Sequence, residues 1–174
     1  MNFEFLSFYK KGDTYICRGK NSNLVEILEK EEVSQKINDF LNKMDLDFER
    51  DDETNRFTIH FGMKFGEESI HFHIFIFYDD KWITIVAPLI RDKDLPEEID
   101  KLSFYKTLLR ETYYLNEVTY GLTENDDIVV HAETATDALG FDNFKVEFYS
   151  VVYGIEHFLR EVVPVIFKPQ DTSQ

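Results

Sequence analysis

The chain has 174 residues and a mass of 20.7 kDa, a length that suits one domain. It carries 34 Asp and Glu against 19 Lys and Arg, a formal net charge of −15, and 16% of its residues are aromatic. The aromatics exclude a wholly disordered chain, the acidic balance argues against a protein that grips nucleic acid through its phosphates, and the single cysteine, Cys17, excludes an internal disulfide framework and a cysteine-based structural zinc site.

Taken in chain order, residues 3–9 alternate loosely, with Phe3 and Phe5 on one face and Leu6 and Phe8 on the other. Lys10-Lys11-Gly12-Asp13 reads as a turn and Thr14 to Arg18 as a returning strand, so residues 1–20 are expected to form an N-terminal hairpin. Val33, Ile37, Phe40, Leu41 and Met44 recur at helical spacing. Leu24, Ile27 and Leu28 either extend that helix or form a shorter one before it. Ser34 as an N-cap favours two pieces.

Three strands follow. In Phe57 to Phe65 the apolar Phe57, Ile59, Phe61, Met63 and Phe65 alternate with Thr58, His60, Gly62 and Lys64. Gly66-Glu67-Glu68-Ser69 is the expected turn. In Ile70 to Tyr78 one face holds Ile70, Phe72, Ile74, Ile76 and Tyr78, and the other holds His71, His73, Phe75 and Phe77. Asp79-Asp80-Lys81 turns into Trp82 to Ile90. Such short connections require antiparallel pairing. Asp94-Leu95-Pro96-Glu97-Glu98 has the composition of a helix start, continued by Ile99, Leu102, Tyr105, Leu108, Leu109, Thr112 and Leu115 to about Asn116. Val118 to Thr123 and Ile128 to Thr134 flank the turn Glu124-Asn125-Asp126-Asp127 as a second hairpin. A last helix carries Phe144, Phe148, Val151, Val152, Ile155, Phe158, Leu159, Val162 and Val163 on a wide stripe, with Pro164 ending the pattern. Gly154 inside that helix costs about 1 kcal/mol relative to Ala, and a close helix–helix or helix–sheet contact would explain it.

The element order is (ββ)-α-βββ-α-ββ-α. It predicts an α+β fold, a mostly antiparallel sheet with helices on one face. No Pro/Gly/Ser-rich linker or repeat divides the chain. Residues 1–174 are therefore expected to form a single domain, with a core over 33–163 and a frayed tail over 168–174. Residues 1–20 carry a net +2, while 21–55 and 117–147 each carry −7. The longest uncharged apolar run, Trp82 to Ile90, is too short to span a bilayer, and the N-terminus lacks a signal-peptide pattern. A cytoplasmic protein with no membrane association is the expectation.

The run of elements over 33–163 resembles the type III secretion chaperone-like fold, nearest the family of bacterial sensory transduction regulators. The stretches that carry the resemblance are Ala87-Pro88-Leu89 closing the third strand, Leu95-Pro96-Glu97-Glu98 opening a helix, Leu115-Asn116 ending it, and Asp126-Asp127 followed by Ile128-Val129-Val130. The resemblance implies a small, acidic, cytoplasmic homodimer without catalytic residues or cofactor. Secretion chaperones bind an extended segment of a partner protein, and it implies the same here.

The residues themselves offer two candidate sites on one sheet face. His71, His73, Phe75 and Phe77 share that face; exposed aromatics there need cover, from a helix of the same chain or from a second subunit. A hairpin pairing Phe65 with Ile70 would set His60 opposite Phe75 and diagonal to His73, roughly 7–8 Å away. His60, His71 and His73 could then hold a metal such as Zn²⁺ with an open position, or fill a half-exposed face as neutral rings. His157 and Glu161, four apart, read as a solvated helix face with Glu156 and Arg160. Asp51-Asp52-Glu53 and Asp126-Asp127 read as solvated turns, lacking calcium-loop spacing. Cys17 has no His or Asp at a catalytic spacing, and the glycines form no nucleotide-binding or nucleophile-elbow motif. The expected function is a non-catalytic protein- or peptide-binding module, with itself and a basic polypeptide as partners. The alternative is a small metal- or ligand-binding enzyme working from the His60, His71, His73 face.

Overall fold

The period-two alternation along residues 56–91 becomes three long antiparallel strands in the structure, a computed structural model that describes residues 7–11, 14–18 and 29–166. The elements are β1 (Ser7–Lys11), β2 (Thr14–Arg18), α1 (Lys30–Lys43), β3 (Phe48–Asp51), β4 (Arg56–Phe65), β5 (Glu68–Tyr78), β6 (Trp82–Arg91), α2 (Lys101–Tyr114), β7 (Thr119–Leu122), β8 (Asp127–Ala135), α3 (Phe141–His157) and α4 (Val163–Ile166). β1 and β2 pair antiparallel, from Ser7↔Arg18 to Lys11↔Thr14, as a sheet of their own. The other six strands form one antiparallel sheet in the order β3-β4-β5-β6-β8-β7. The fold is α+β, in the expected order with one strand added. β3 escapes sequence reading because a lone Phe48 precedes Glu49-Arg50-Asp51 at the sheet edge, with no alternation to reveal it. The proposed tail over 168–174 and the apolar positions Leu24, Ile27 and Leu28 lie outside the described residues.

One face of the sheet carries the helices. Val33, Ile37 and Leu41 of α1, Phe104 and Leu108 of α2, and Phe144, Phe148, Val151 and Ile155 of α3 share a core with Phe57, Ile59, Ile74, Ile76, Ile83, Ile85 and Val130. Each set recurs at the period of its element, 3.6 on the helices and 2 on the strands. Gly154 is buried where α3 crosses the sheet: a Cβ there would stand 2.5 Å from Val130 Cγ2. A helix–sheet contact thus accounts for the glycine.

Several boundaries move, each for a local reason. The β4–β5 loop has two residues, not four: Phe65 pairs with Glu68, and Gly66 has φ +64°. A glycine in the left-handed region at the first loop position suits a tight two-residue turn. The register therefore slides, and His60 comes opposite His73 instead of Phe75. α2 starts at Lys101, after a single 3₁₀ turn at Asp92–Asp94. Asp100 rather than Asp94 caps it, accepting from the Leu102 N–H at 3.1 Å and the Ser103 hydroxyl at 2.6 Å. Ser34 is no cap: α1 begins at Lys30 and encloses it, buried, with its hydroxyl unpartnered. The last helix is interrupted by a π-helical turn at Phe158–Val162 before α4, which holds Pro164 in its first turn. Proline has no N–H to donate and its ring crowds the carbonyl four residues back, so the preceding turn widens.

Proline also splits the sheet. β5 and β6 pair only from Phe75↔Val86 to Tyr78↔Ile83. Continued, that register would set Pro88 opposite His73. The Tyr78 N–H points to Asn55 on the β4 side, so by alternation the main-chain groups of His73 and His71 turn toward β6. Pro88 has no N–H to meet them. β6 instead continues along β8, through a bulge between Pro88 and Ile90.

Candidate binding surface on the outer sheet face

The sheet face turned away from the helices is ordered by strand register. One row runs Thr58, Phe75, Val86, His131, Thr119 across five strands, and beside it runs Arg56, Phe77, Thr84, Glu133. Phe75, Phe77, Val86 and Val129 stand outside the core cluster, and Phe77 is 39% exposed. Along β5 the rings stack in sequence, His73 to Phe75 at 6.1 Å and Phe75 to Phe77 at 6.2 Å. Arg56 lies across Phe75 with Cζ 5.5 Å from the ring centre, held from the side by Asp51 at 3.4 Å. Trp82, 53% exposed, starts β6 at the end of this face.

The histidines gather here. His60 and His73 are cross-strand partners with ring centres 4.8 Å apart, edge to face, and His60 Nε2 lies 3.4 Å from Glu49 Oε1 on β3. His71 stands opposite Gly62, its ring 3.5 Å from where a Cβ on that glycine would be. At the other end of the sheet His131 lies 3.3 Å from the Cβ position of Gly121 and bonds the Thr119 hydroxyl at 2.9 Å. A Cβ at Gly62 would meet His71 at ordinary contact distance, whereas one at Gly121 would crowd His131 by a few tenths of an ångström. The structure brings His60 and His73 together and leaves His71 over its own glycine. Among the described residues no group of three or more His, Cys, Asp or Glu side chains is placed to hold a metal ion.

Sequence reasoning found His71, His73, Phe75 and Phe77 because they share one strand. It missed Arg56, Val86, Val129 and His131, which join them only through the strand order. The residue-type signal was present in β8, where Val129 and His131 alternate with Ile128, Val130 and Ala132, but nothing local says that β8 lies beside β6.

The remaining candidates lie elsewhere. His157 bonds Glu111 of α2 at 2.9 Å, while Arg160 takes Glu156 at 2.7 Å. The i,i+4 contact expected on this face is made by Glu156 and Arg160, whereas His157 is half-buried and pairs with Glu111 of α2 and not with Glu161. Asp51 closes its turn by accepting from the Thr54 hydroxyl at 2.7 Å and the main-chain N–H groups of Thr54 and Glu53; these bonds, the hydroxyl's first, lower its carboxyl below the ordinary value. Asp126, in the left-handed region, turns the β7–β8 hairpin. Asp92 accepts from Lys101 at 2.5 Å and from the Tyr105 hydroxyl, so its carboxyl is lowered and the Tyr105 phenol is pushed up to about 12. Cys17 lies opposite Phe8 in the β1–β2 hairpin.

Known structures share this fold. A chain of the ExsC–ExsE complex superposes with a TM-score of 0.52 at 13% identity, over 76% of this chain and 95% of that one. The fold is secretion-chaperone-like. A chain of the HopA1–SchA chaperone–effector complex gives 0.50 at 14% identity, over 74% and 95%. A chain of the heterodimeric ExoU–SpcU complex from the type III secretion system of Pseudomonas aeruginosa gives 0.50 at 14%, over 75% and 98%. No protein-family model matches the chain, and no curated protein matches it in sequence. Among the described residues no helix is long and apolar enough to cross a membrane.

Proposed function

We propose that this chain is a non-catalytic, secretion-chaperone-like module that binds a protein or peptide in the cytoplasm as a homodimer of single-domain subunits. The observation that carries the reading is the aromatic row His73, Phe75, Phe77 on a sheet face where no described helix packs. Phe77 and Trp82 are exposed and Phe75 is half-buried on this face, and exposed apolar side chains gathered on one face suit an interaction site. Among the described residues no strand pairs with the β6 side of His71 and His73, which leaves main-chain donors and acceptors that suit an extended segment. The net charge of −15 favours a basic partner. Similarity to chains of chaperone complexes supports the same reading, as does the sequence resemblance to the bacterial sensory transduction regulator family.

The test pairs a variant with a capture. Phe75→Ser combined with Phe77→Ser removes both phenylalanine rings of the row and no member of the core cluster, and a thermal melt checks that the variant stays folded. A protein captured by the unaltered chain and lost by this variant supports the surface; identical captures with both chains would reject it. Light scattering after gel filtration tests the dimer, which requires twice the 20.7 kDa chain mass.

A further inference from the structure

A second surface lies away from that sheet face, where the end of α2 meets α3. Val146, Tyr149, Ser150 and Tyr153 recur at i, i+3, i+4 and i+7 along α3, so they form one stripe. With Tyr114, Asn116 and Glu117 they line a depression of about 410 Å³. Its three tyrosines are exposed, Tyr114 by 72%, Tyr149 by 44% and Tyr153 by 56%. Tyr149 stands edge-on against the buried Phe148 at 5.6 Å and Tyr153 lies 6.1 Å from the His157 ring, so these rings are held in place beside the hollow, and an aromatic face carries negative charge density.

One carboxylate lines the hollow, and a second carboxyl lies on α3 between its lining residues. Glu117 stands on its wall, at a left-handed backbone position (φ +65°) that fixes where the side chain leaves the loop. Glu147, one turn before Ser150, is 6% exposed, and its Oε2 has no hydrogen-bond partner. Burial first, and then repulsion from Glu117, raises the Glu147 carboxyl above its ordinary value. A buried carboxylate oxygen without a partner is costly unless it takes up a proton or a cation arrives. Elsewhere the chain supplies its own: Lys43, Arg50, Arg56 and Arg160 each cover a phenylalanine. Among the described residues no cation covers Tyr114, Tyr149 or Tyr153.

We propose that this tyrosine-walled hollow receives one cationic side chain, an arginine or lysine, from a basic partner polypeptide. The rings contribute cation–π attraction and Glu117 the opposing charge. The assignment stands on the cavity and its lining and does not rest on the sheet-face reading.

The probe is an acetylated, amidated Gly-Arg-Gly peptide, with its citrulline counterpart as the neutral isostere, titrated into the full chain and followed by amide chemical shifts. Saturable shifts confined to 114–117 and 146–153, with binding weaker by about tenfold or more for citrulline, are the expected result. Tyr149→Leu with Tyr153→Leu should abolish the shifts while the fold persists, because both rings are exposed. Glu117→Gln should weaken binding several-fold, and added salt should weaken it further. Equal binding of citrulline, shifts centred elsewhere, or no saturable shift would overturn the proposal. Shifts of the same residues that depend on protein concentration alone would also overturn it, since a second copy would then be the occupant.

Discussion

Gly154→Ala tests the packing of α3 on the sheet. In an isolated helix the change would stabilise by about 1 kcal/mol. Here the new methyl would stand 2.5 Å from Val130 Cγ2 and 3.5 Å from Val118 Cγ2, and ordinary carbon contacts lie at about 3.5–4.0 Å. The overlap is therefore about 1 Å against the nearer group. Val130 cannot yield easily. It is fully buried, it pairs with Ala87 on one side and Tyr120 on the other, and a β-branched side chain has one preferred χ1. Relief must come from moving α3, which would also stretch the 2.9 Å bond from the Tyr120 hydroxyl to the Gly154 carbonyl. Overpacking costs about 1–3 kcal/mol. With no flexible end to absorb it, the upper part of that range applies, leaving a net loss of about 2 kcal/mol after the helical gain. For a chain of this size that is a fall of about 4–8 °C in Tm by calorimetry. Combining Gly154→Ala with Val130→Ala should recover at least about 1 kcal/mol relative to the sum of the single changes. A Gly154→Ala protein melting at or above the parent, or a strictly additive pair, would refute the close-approach argument.

Burial, then repulsion from Glu117, raises the Glu147 carboxyl above its ordinary value. The folded chain thus holds that proton to higher pH than the unfolded chain, and stability falls as pH rises through the raised value. Glu147→Gln removes the titrating charge and should flatten that part of the pH–stability curve; an unchanged curve would exclude Glu147 as its source. Asp92 works in the opposite direction: Lys101 and Tyr105 lower its carboxyl, so its contribution is present at neutral pH and fades as acid protonates it, and Asp92→Asn should reduce the loss of stability on acidification. Asp100→Ala removes the α2 cap and should cost about 1 kcal/mol by denaturant unfolding, whereas Asp94→Ala, outside that helix, leaves its capping untouched. Pro88→Val restores an N–H opposite His73 and should extend amide-exchange protection from Phe75 toward His71; unchanged exchange there would show that proline is not what ends the β5–β6 ladder.

The candidate surface divides between what a strand can reveal and what a sheet must assemble. His71, His73, Phe75 and Phe77 were legible because a strand sends alternate residues to one face whatever its neighbours are. The His60–His73 contact was not, because register hangs on one turn, and a single glycine with φ +64° moves every pair by two residues. The tyrosine hollow was invisible for another reason. Tyr149 and Tyr153 read as ordinary positions beside an apolar stripe until the end of α2 is brought against them. Glu111 and His157, 46 residues apart in sequence, meet only through the same packing.

Local periodicity and turn chemistry, which act within a few residues, by themselves determined the fold class, the expected elements and the apolar face of each. They marked Gly154 as an unfavourable residue inside a helix, which a close neighbour or chance would explain, and only the fold shows that the neighbour is Val130. Tertiary structure alone decided the order β3-β4-β5-β6-β8-β7, the split at Pro88, which of two aspartates caps α2, and which sheet face the helices leave uncovered. Those choices rest on contacts between segments far apart in the chain, whose energies are settled by shared burial and by hydrogen bonds that one missing N–H can remove.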